Sequence, residues 1–252
     1  MSVLLSEASG PILTLTLNRP EVHNAFNAAL IAALHDAFSA PPETARVIIL
    51  KGTGKSFCAG GDLNWMREAA GYSHAENVAD ANRLSDMLDA VYRCPIPVIA
   101  DVHGAAYGGG VGLVACADIA VADPSSKFML SEVRLGLTPA TISPYVLDAM
   151  GARAARRYFV TAEGFGAEEA LACGLVHLIG GDATALAEKI AANGPKAVRA
   201  AKALIQDIAG QSITDDLRAQ TAQRIADRRA SDEGREGIAA FLEKRSPRWR
   251  DG

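Results

Sequence analysis

The chain contains AGGD at residues 59–62 and GGG at residues 108–110, about fifty residues apart, and each segment follows a short apolar run that predicts a buried strand. Glycine permits close backbone approach, so two backbone N–H groups from such turns can bind one carbonyl oxygen as it gains negative charge. Taken alone, the first segment is more typical of a strand-to-helix turn in which Asp62 caps the helix. In the alternative interpretation, the Gly61 N–H lies at the start of that helix, where unpaired amides favour an anion. The pair of turns therefore predicts a backbone oxyanion hole.

These glycines do not match the common nucleotide-binding motifs. The pattern GxGxxG is absent, and no acidic residue ends a suitable second strand, which argues against a dinucleotide-binding turn. No Gly-Lys-Ser or Gly-Lys-Thr triplet follows the second turn, so this turn is not a phosphate-binding P-loop.

Glu132 is the candidate acid/base. It lies within FMLSEV at residues 128–133, after a predicted strand and before GLTP at residues 136–139. An isolated carboxylate is more often a solvated loop residue or a helix cap. The apolar flanks of Glu132, however, would raise its pKa and suit it to proton transfer.

Length and composition argue against several classes of protein. With 252 residues, 49% of them hydrophobic, the chain can form one large domain or two small ones around a buried core. The net charge of −4 argues against a nucleic-acid partner. No apolar run is long enough to span a bilayer, and the first residues do not resemble a secretory signal, so we expect a cytoplasmic protein. The four cysteines show no CxxC spacing and the five histidines are isolated, so we expect no disulfide framework and no metal site.

Periodicity predicts an α/β core followed by a helical tail. Asn27 is expected to cap the first helix, and from residue 183 onward only helices are expected. The tail is thin in large apolar residues, so its helices should pack on the core or on a neighbouring subunit. Strands are predicted at residues 12–17, 46–50, 98–102 and 119–122, and core helices at residues 28–38 and 75–92.

The two glycine turns and the segment around Glu132, in this order and at these separations, resemble the crotonase (enoyl-CoA hydratase/isomerase) superfamily. The resemblance covers essentially the whole chain. It implies an α/β crotonase (ClpP-like) fold, with a spiral of ββα repeats at residues 1–185 and a helical trimerisation region at residues 186–252. It also implies an acyl-CoA substrate, no cofactor, and a homotrimer or homohexamer. Further matching segments are NRP (18–20), NAFN (24–27), residues 97–112, CAD (116–118), RRY (156–158), ALACGLV (170–176) and AFLEKR (240–245).

The same resemblance assigns the oxyanion hole to particular residues. It implies that the N–H groups of Gly61 and Gly109 hold the thioester carbonyl oxygen of an acyl-CoA. Charge builds on that oxygen when the α-carbon becomes enolate-like, so donors placed there favour the transition state over the substrate.

Contacts with coenzyme A are also implied by the resemblance. Ala59, Asp62 and Leu63 match the loop that packs around the adenine and pantetheine of a bent CoA. Phe241 and Lys244 match tail positions that contact the CoA nucleotide of a neighbouring subunit. A solvated lysine at the end of a helix is an equally good interpretation of Lys244.

Gly112 departs from the pattern of many hydratases in the superfamily. Those proteins carry two glutamates, and here the second is present as Glu132 while Gly112 stands at the first position. Hydration can still be written with one carboxylate, which takes a proton from water and returns one to the α-carbon. The departure puts in doubt the activity of an ordinary straight-chain hydratase.

Two segments are similar to the bacterial methylglutaconyl-CoA and isohexenylglutaconyl-CoA hydratases: DLNWM at residues 62–66 and LSEVRLGLTPATISPY at residues 130–145. The similarity implies a 3-branched enoyl-CoA with a distal carboxylate. Such a carboxylate needs a cationic or hydroxyl partner, and Arg67, Arg134 and Tyr145 are the candidates.

Other functions remain open at this stage. An isomerase that moves the double bond needs a carboxylate that reaches the γ-carbon, and residues 139–145 contain none. A catalytically silent CoA-binding paralogue is the second alternative, although it would have no need of Glu132. A hydrolase or dehalogenase is disfavoured because no residue resembles an activated nucleophile, and Asp118 is interpreted as a structural residue at the start of a strand.

Overall fold

The structure is a computed structural model that describes residues 2–250. In this part of the chain the strands are β1 (Leu4–Ser9), β2 (Ile12–Leu17), β3 (Val47–Gly52), β4 (Ser56–Cys58), β5 (Val98–Val102), β6 (Ala105–Tyr107), β7 (Ile119–Ala122), β8 (Lys127–Met129), β9 (Phe165–Gly166) and β10 (Leu178–Ile179). The helices are α1 (Ala28–Ser39), α2 (Leu63–Ala69), α3 (His74–Tyr92), α4 (Gly109–Cys116), α5 (Ser143–Thr161, interrupted at Gly151), α6 (Ala167–Ala172), α7 (Ala183–Ala191), α8 (Pro195–Ile208), α9 (Asp215–Ala230) and α10 (Asp232–Leu242).

Six strands form the larger sheet in the order β1-β2-β3-β5-β7-β10, and all neighbouring pairs are parallel except the β1–β2 hairpin. A parallel sheet needs apolar cover on both faces. Along β3, Ile48 and Leu50 belong to the main core with α1 and α3, whereas Val47 and Ile49 belong to a second cluster with α7. The larger sheet is therefore buried between these helices.

Four strands form the smaller sheet in the order β4-β6-β8-β9, with β4, β6 and β8 parallel to one another. The carboxyl ends of parallel strands meet at one edge of a sheet. The segments that follow these three strands are the AGGD turn, the GGG turn and the loop with Glu132. The smaller sheet thus brings the three predicted site segments together.

The sequence predicted the regular elements of the larger sheet well. The strands at residues 12–17, 98–102 and 119–122 are confirmed at both ends, and the Asn27 side chain accepts a hydrogen bond from the Leu30 N–H at 2.9 Å. Strand β1 was not predicted, because its sequence LLSEAS lacks an alternating apolar pattern and most of its residues are exposed. Pairing with β2 determines its conformation.

The helical tail is confirmed from Ala183 to Leu242. The proposed division at residue 185 stays a prediction. Helix α7 spans that point and packs on the larger sheet through Ala183, Ala187 and Ala191, so the first helix of the tail contributes to the core.

Candidate active site

The first glycine turn connects β4 to α2 and is held by Phe26. The Phe26 N–H donates to Gly60 O (2.6 Å), and the Asp62 N–H donates to Phe26 O (2.9 Å). These bonds bracket Gly61, whose own N–H has no acceptor among the described residues. Gly60 has a φ of +87°, a conformation that favours glycine. The turn therefore leaves the Gly61 N–H available at the start of α2.

The second glycine turn connects β6 to α4. Gly108 has a φ of +50°, and its N–H donates to Met129 O of β8 (2.8 Å). Gly109 is the first residue of α4, so its N–H has no partner within the helix, and none is found elsewhere in residues 2–250. Gly110 packs directly on β4, since a Cβ there would overlap Cys58 O. Glycine is required for this close approach.

The two turns lie against each other. A Cβ built on Gly60 would be 3.6 Å from Gly109 N, and one built on Gly108 would be 4.0 Å from Gly60 Cα. Phe26 packs on the second turn as well, with its Cδ2 2.9 Å from the position of a Cβ on Gly109. The structure thus brings together the segments that carry the N–H groups of Gly61 and Gly109.

Glu132 lies at the same edge of the smaller sheet, as the first residue of a 3₁₀ helix (Glu132–Leu135) after β8. A Cβ built on Gly108 would be 3.1 Å from Glu132 Oε1, so the carboxylate contacts the second turn. Glu132 Oε2 is buried and has no hydrogen-bond partner in the described part of the chain. Burial raises the pKa of the Glu132 carboxyl. A half-buried carboxyl with one unpaired oxygen, next to the turn that presents the Gly109 N–H, is suited to proton transfer near a developing oxyanion.

An ion pair between Arg19 and Asp62 anchors the first turn. Arg19 Nη2 lies 2.7 Å from Asp62 Oδ2, Arg19 Nη1 donates to Ala25 O, and both side chains are largely buried. Asp62 Oδ1 also accepts from the Asn64 N–H (2.7 Å), which caps α2. Burial opposes ionisation of Asp62, but these hydrogen bonds and the Arg19 charge outweigh it and lower the pKa of the carboxyl. The capping interpretation of Asp62 is therefore confirmed, whereas its contact with CoA stays a prediction.

The remaining predicted CoA contacts lie at the surface. Leu63 is 75% exposed and Phe241 is 83% exposed, while Ala59 is half-buried beside the first turn. Lys244 follows α10 in a left-handed conformation with a φ of +54° and is also exposed. Phe241 and Lys244 are thus accessible to a neighbouring subunit.

Three residues were predicted as partners for a distal carboxylate, and the structure gives each a contact. Arg134 Nη2 donates to a backbone carbonyl just after α5 (2.6 Å). The Tyr145 ring packs on Tyr92, with centroids 5.3 Å apart. Arg67 is exposed on α2 and donates to Asn64 Oδ1 (2.7 Å). Arg134 is exposed as well, so both guanidinium groups can be reached from solvent.

Asp118 lies outside the glycine turns. Its Oδ2 accepts from the Val98 N–H (2.7 Å) and from Lys202 Nζ (2.7 Å), so it joins the starts of β5 and β7 to α8. This agrees with the structural interpretation. The triplet Gly-Lys-Ser at residues 54–56 runs from the turn after β3 into the first residue of β4, whereas a P-loop places its triplet at the start of a helix.

Within residues 2–250, no three His, Cys, Asp or Glu side chains are arranged to hold a metal ion. Over the same range, none of the helices combines the length and apolar character needed to cross a membrane.

Comparison with known proteins identifies the family. The profile of the family described as "Enoyl-CoA hydratase/isomerase" matches residues 7–252. The chain belongs to the enoyl-CoA hydratase/isomerase family. The crystal structure of an enoyl-CoA hydratase from Shewanella pealeana is similar to this chain with a TM-score of 0.93 and 42% sequence identity, covering 98% of this chain and 96% of that one. The predicted crotonase fold is thereby confirmed.

Two curated relatives from Escherichia coli K12 show the range of reactions in the family. The chain is 33% identical over 257 residues to 2,3-dehydroadipyl-CoA hydratase, covering 98% of each chain. It is 31% identical over 260 residues to 1,2-epoxyphenylacetyl-CoA isomerase, covering 99% of this chain and 98% of that one. Membership of the enoyl-CoA hydratase/isomerase family therefore leaves the reaction to be inferred from the site.

Sequence reasoning assigned no role to two residues that hold the glycine turns, Arg19 and Phe26. Each lies in a segment that resembles the superfamily. The available signal was weak, because a single arginine before a proline or a single apolar residue predicts nothing about a contact with residues far along the chain.

Proposed function

We propose that the protein adds water across the 2,3 double bond of a 2-enoyl-CoA, with Glu132 as the acid/base and the N–H groups of Gly61 and Gly109 as the oxyanion hole. The observation that carries the proposal is the half-buried Glu132 carboxyl, whose Oε2 is buried without a partner and whose Oε1 contacts the turn that presents Gly109. Membership of a family that includes hydratases supports this class of reaction.

The mechanism needs only one carboxylate. Ionised Glu132 takes a proton from water while the water oxygen bonds to the β-carbon, and the π electrons move to the thioester oxygen as an enolate. The Gly61 and Gly109 N–H groups donate to that oxygen where its negative charge is greatest. Protonated Glu132 then gives its proton to the α-carbon, the carbonyl re-forms, and the carboxylate is regenerated.

The raised pKa of Glu132 suits both halves of this cycle. A carboxylate with a higher pKa is a stronger base toward water, and its protonated form is still acidic enough to protonate an enolate carbon. Because Glu132 must be ionised to act on water, activity is expected to fall as the pH drops through this raised pKa.

The finer substrate class we propose is a 3-branched glutaconyl-type enoyl-CoA, as in the hydratases that residues 62–66 and 130–145 resemble. Arg67, Arg134 and Tyr145 are the proposed partners for the distal carboxylate, and both arginines are exposed. Arg67 donates to Asn64 Oδ1, Arg134 donates to a backbone carbonyl, and Tyr145 packs on another aromatic ring.

The substrate's coenzyme A moiety is proposed to lie along Ala59 and Leu63 and to meet Phe241 and Lys244 of a neighbouring subunit. The high exposure of Leu63 and Phe241 supports this arrangement, since large apolar side chains gain free energy when they are covered. A homotrimer, or a homohexamer built from two trimers, would provide that cover.

Two alternatives remain to be excluded by experiment. The first is an isomerase that moves the double bond of an enoyl-CoA, but residues 139–145, where a second carboxylate would be expected, carry none. A silent CoA-binding paralogue would have no reason to keep an unpaired buried carboxylate, which costs folding free energy.

The test is loss of the ultraviolet absorbance of the enoyl thioester, with crotonyl-CoA and 3-methylglutaconyl-CoA measured side by side. Turnover of the branched acid with little turnover of crotonyl-CoA would support the full proposal. Glu132→Gln is the matched control: it should abolish turnover and leave acyl-CoA binding nearly intact. More than a tenth of the wild-type activity in this variant would show that Glu132 is not the essential acid/base.

A further inference from the structure

Gly112 has no side chain, yet the space beside it is occupied. A Cβ built on Gly112 would overlap Ile142 Cγ2, and would lie 3.0 Å from Ile142 Cβ and 3.5 Å from Leu88 Cδ2. Ile142 is 2% exposed and Leu88 is fully buried. Because a β-branched side chain is stiff at χ1, Ile142 cannot easily turn away from this contact. Ile142 therefore fills the volume that a side chain at position 112 would need.

Through Gly112, Ile142 contacts the helix that begins at the second glycine turn. Gly109 and Gly112 are three residues apart in α4, so they share one face of the helix and lie about 4.5 Å apart along its axis. Glu132 contacts Gly108, which precedes Gly112 by four residues. Ile142 therefore lies roughly one helical turn along α4 from Gly109 and Glu132, the groups proposed to act on the thioester.

The start of α5 fixes the backbone position of Ile142. The loop that begins with Glu132 runs on to Ile142, and Ile142 is the residue immediately before α5. Ile142 O accepts from the Val146 N–H at 3.0 Å, the first main-chain bond of that helix. The position of Ile142 is therefore fixed by the start of a long helix rather than by a mobile loop.

We infer that Ile142 is a specificity-determining residue: its side chain forms an aliphatic wall of the acyl site and takes the place of a side chain at position 112. The inference rests on the proposed function for where the acyl chain lies. With the thioester oxygen at Gly109 and the β-carbon at Glu132, the acyl chain continues along α4 towards Ile142. The wall limits the length of the acyl chain and keeps a second carboxylate out of this face of α4.

Binding of saturated acyl-CoA tests the wall without depending on catalysis. Butyryl-CoA and octanoyl-CoA are titrated calorimetrically into the wild type, Ile142→Ala and the conservative control Ile142→Val. We expect Ile142→Ala to lower the Kd of octanoyl-CoA relative to butyryl-CoA by roughly tenfold, the effect of burying about two further methylene groups. Ile142→Val should shift the same ratio by about twofold, and this smaller shift is decisive if the alanine variant does not fold.

A thermal-unfolding cycle tests the shared volume independently. Replacing glycine by alanine within a helix ordinarily stabilises it, but Gly112→Ala should lower the Tm because its methyl group meets Ile142. The double variant Gly112→Ala/Ile142→Ala should lose less Tm than the sum of the losses of the two single variants, because removing the Ile142 side chain relieves the contact with the new methyl group, and its Kd ratio should return towards the wild-type value.

The outcomes separate this inference from the proposed function. Additive Tm losses, or an unchanged Kd ratio in folded Ile142 variants, would overturn the inference and leave Ile142 as an ordinary core residue. A shifted Kd ratio in a protein that hydrates neither enoyl-CoA would support the wall and refute the hydratase proposal.

Discussion

Replacing Arg19 by methionine should damage both stability and catalysis, because it leaves the Asp62 carboxylate buried without its cation. The two side chains are 13% and 5% exposed, and they meet at 2.7 Å. Removing one partner of a buried pair costs about 3 kcal/mol. For a chain of this length that corresponds to a fall in Tm of roughly 10 °C.

The catalytic effect follows from the backbone next to Asp62. Arg19 ties the segment before α1 to the residue after Gly61, so its loss frees the turn that presents the Gly61 N–H. A misplaced oxyanion-hole donor lowers kcat by up to about 100-fold, whereas binding of the CoA portion should change little. The assay is steady-state kinetics on the better enoyl-CoA substrate, together with thermal unfolding of the same preparations.

Asp62→Asn provides the matched control, because asparagine can still cap α2 but carries no charge that needs Arg19. The double variant Arg19→Met/Asp62→Asn should therefore unfold at a higher temperature than Arg19→Met alone. If Arg19→Met unfolds within 2 °C of the wild type, a change of less than about 1 kcal/mol, and keeps its kcat, the reasoning about this ion pair is refuted.

Three further predictions concern Glu132, the packing of Gly110 and the ion pair between Lys202 and Asp118. Glu132→Gln should raise the Tm at neutral pH. Because burial raises the pKa of Glu132, the wild-type protein loses stability as the pH rises from the pKa of this carboxyl in the unfolded chain to its pKa in the folded protein. The difference in Tm between variant and wild type should therefore vanish in acid. A Tm difference that is independent of pH would contradict this explanation. Gly110→Ala should cost about 3 kcal/mol in urea unfolding, because its Cβ meets the carbonyl oxygen at the end of β4. Gly71→Ala is the control and should change stability little, because its Cβ would make only an ordinary contact with Glu68 O at 3.5 Å. Lys202→Met should cost about 3 kcal/mol by leaving the Asp118 carboxyl without its cation, and an unchanged urea midpoint would show that α8 is held by other contacts.

The regular elements could be predicted because their signals are local. The alternation in ILTLTL gives β2, and Asn27 before an apolar-periodic run gives the start of α1. The order of the two glycine turns and Glu132 along the chain was enough to indicate the superfamily. Strand β1 was not predicted, because its conformation depends on pairing with β2 rather than on an apolar pattern in its own sequence.

The sequence alone determined which chemistry was available: two glycine turns that can expose backbone donors, one carboxylate with apolar flanks, and glycine at position 112. Tertiary structure decided where these groups meet. Parallel pairing of β4, β6 and β8 brings three segments from distant parts of the chain to one edge, and burial there leaves Glu132 Oε2 without a partner. Only the fold could show that Ile142 fills the space beside Gly112, because packing joins residues thirty positions apart and no local pattern records which of them touch.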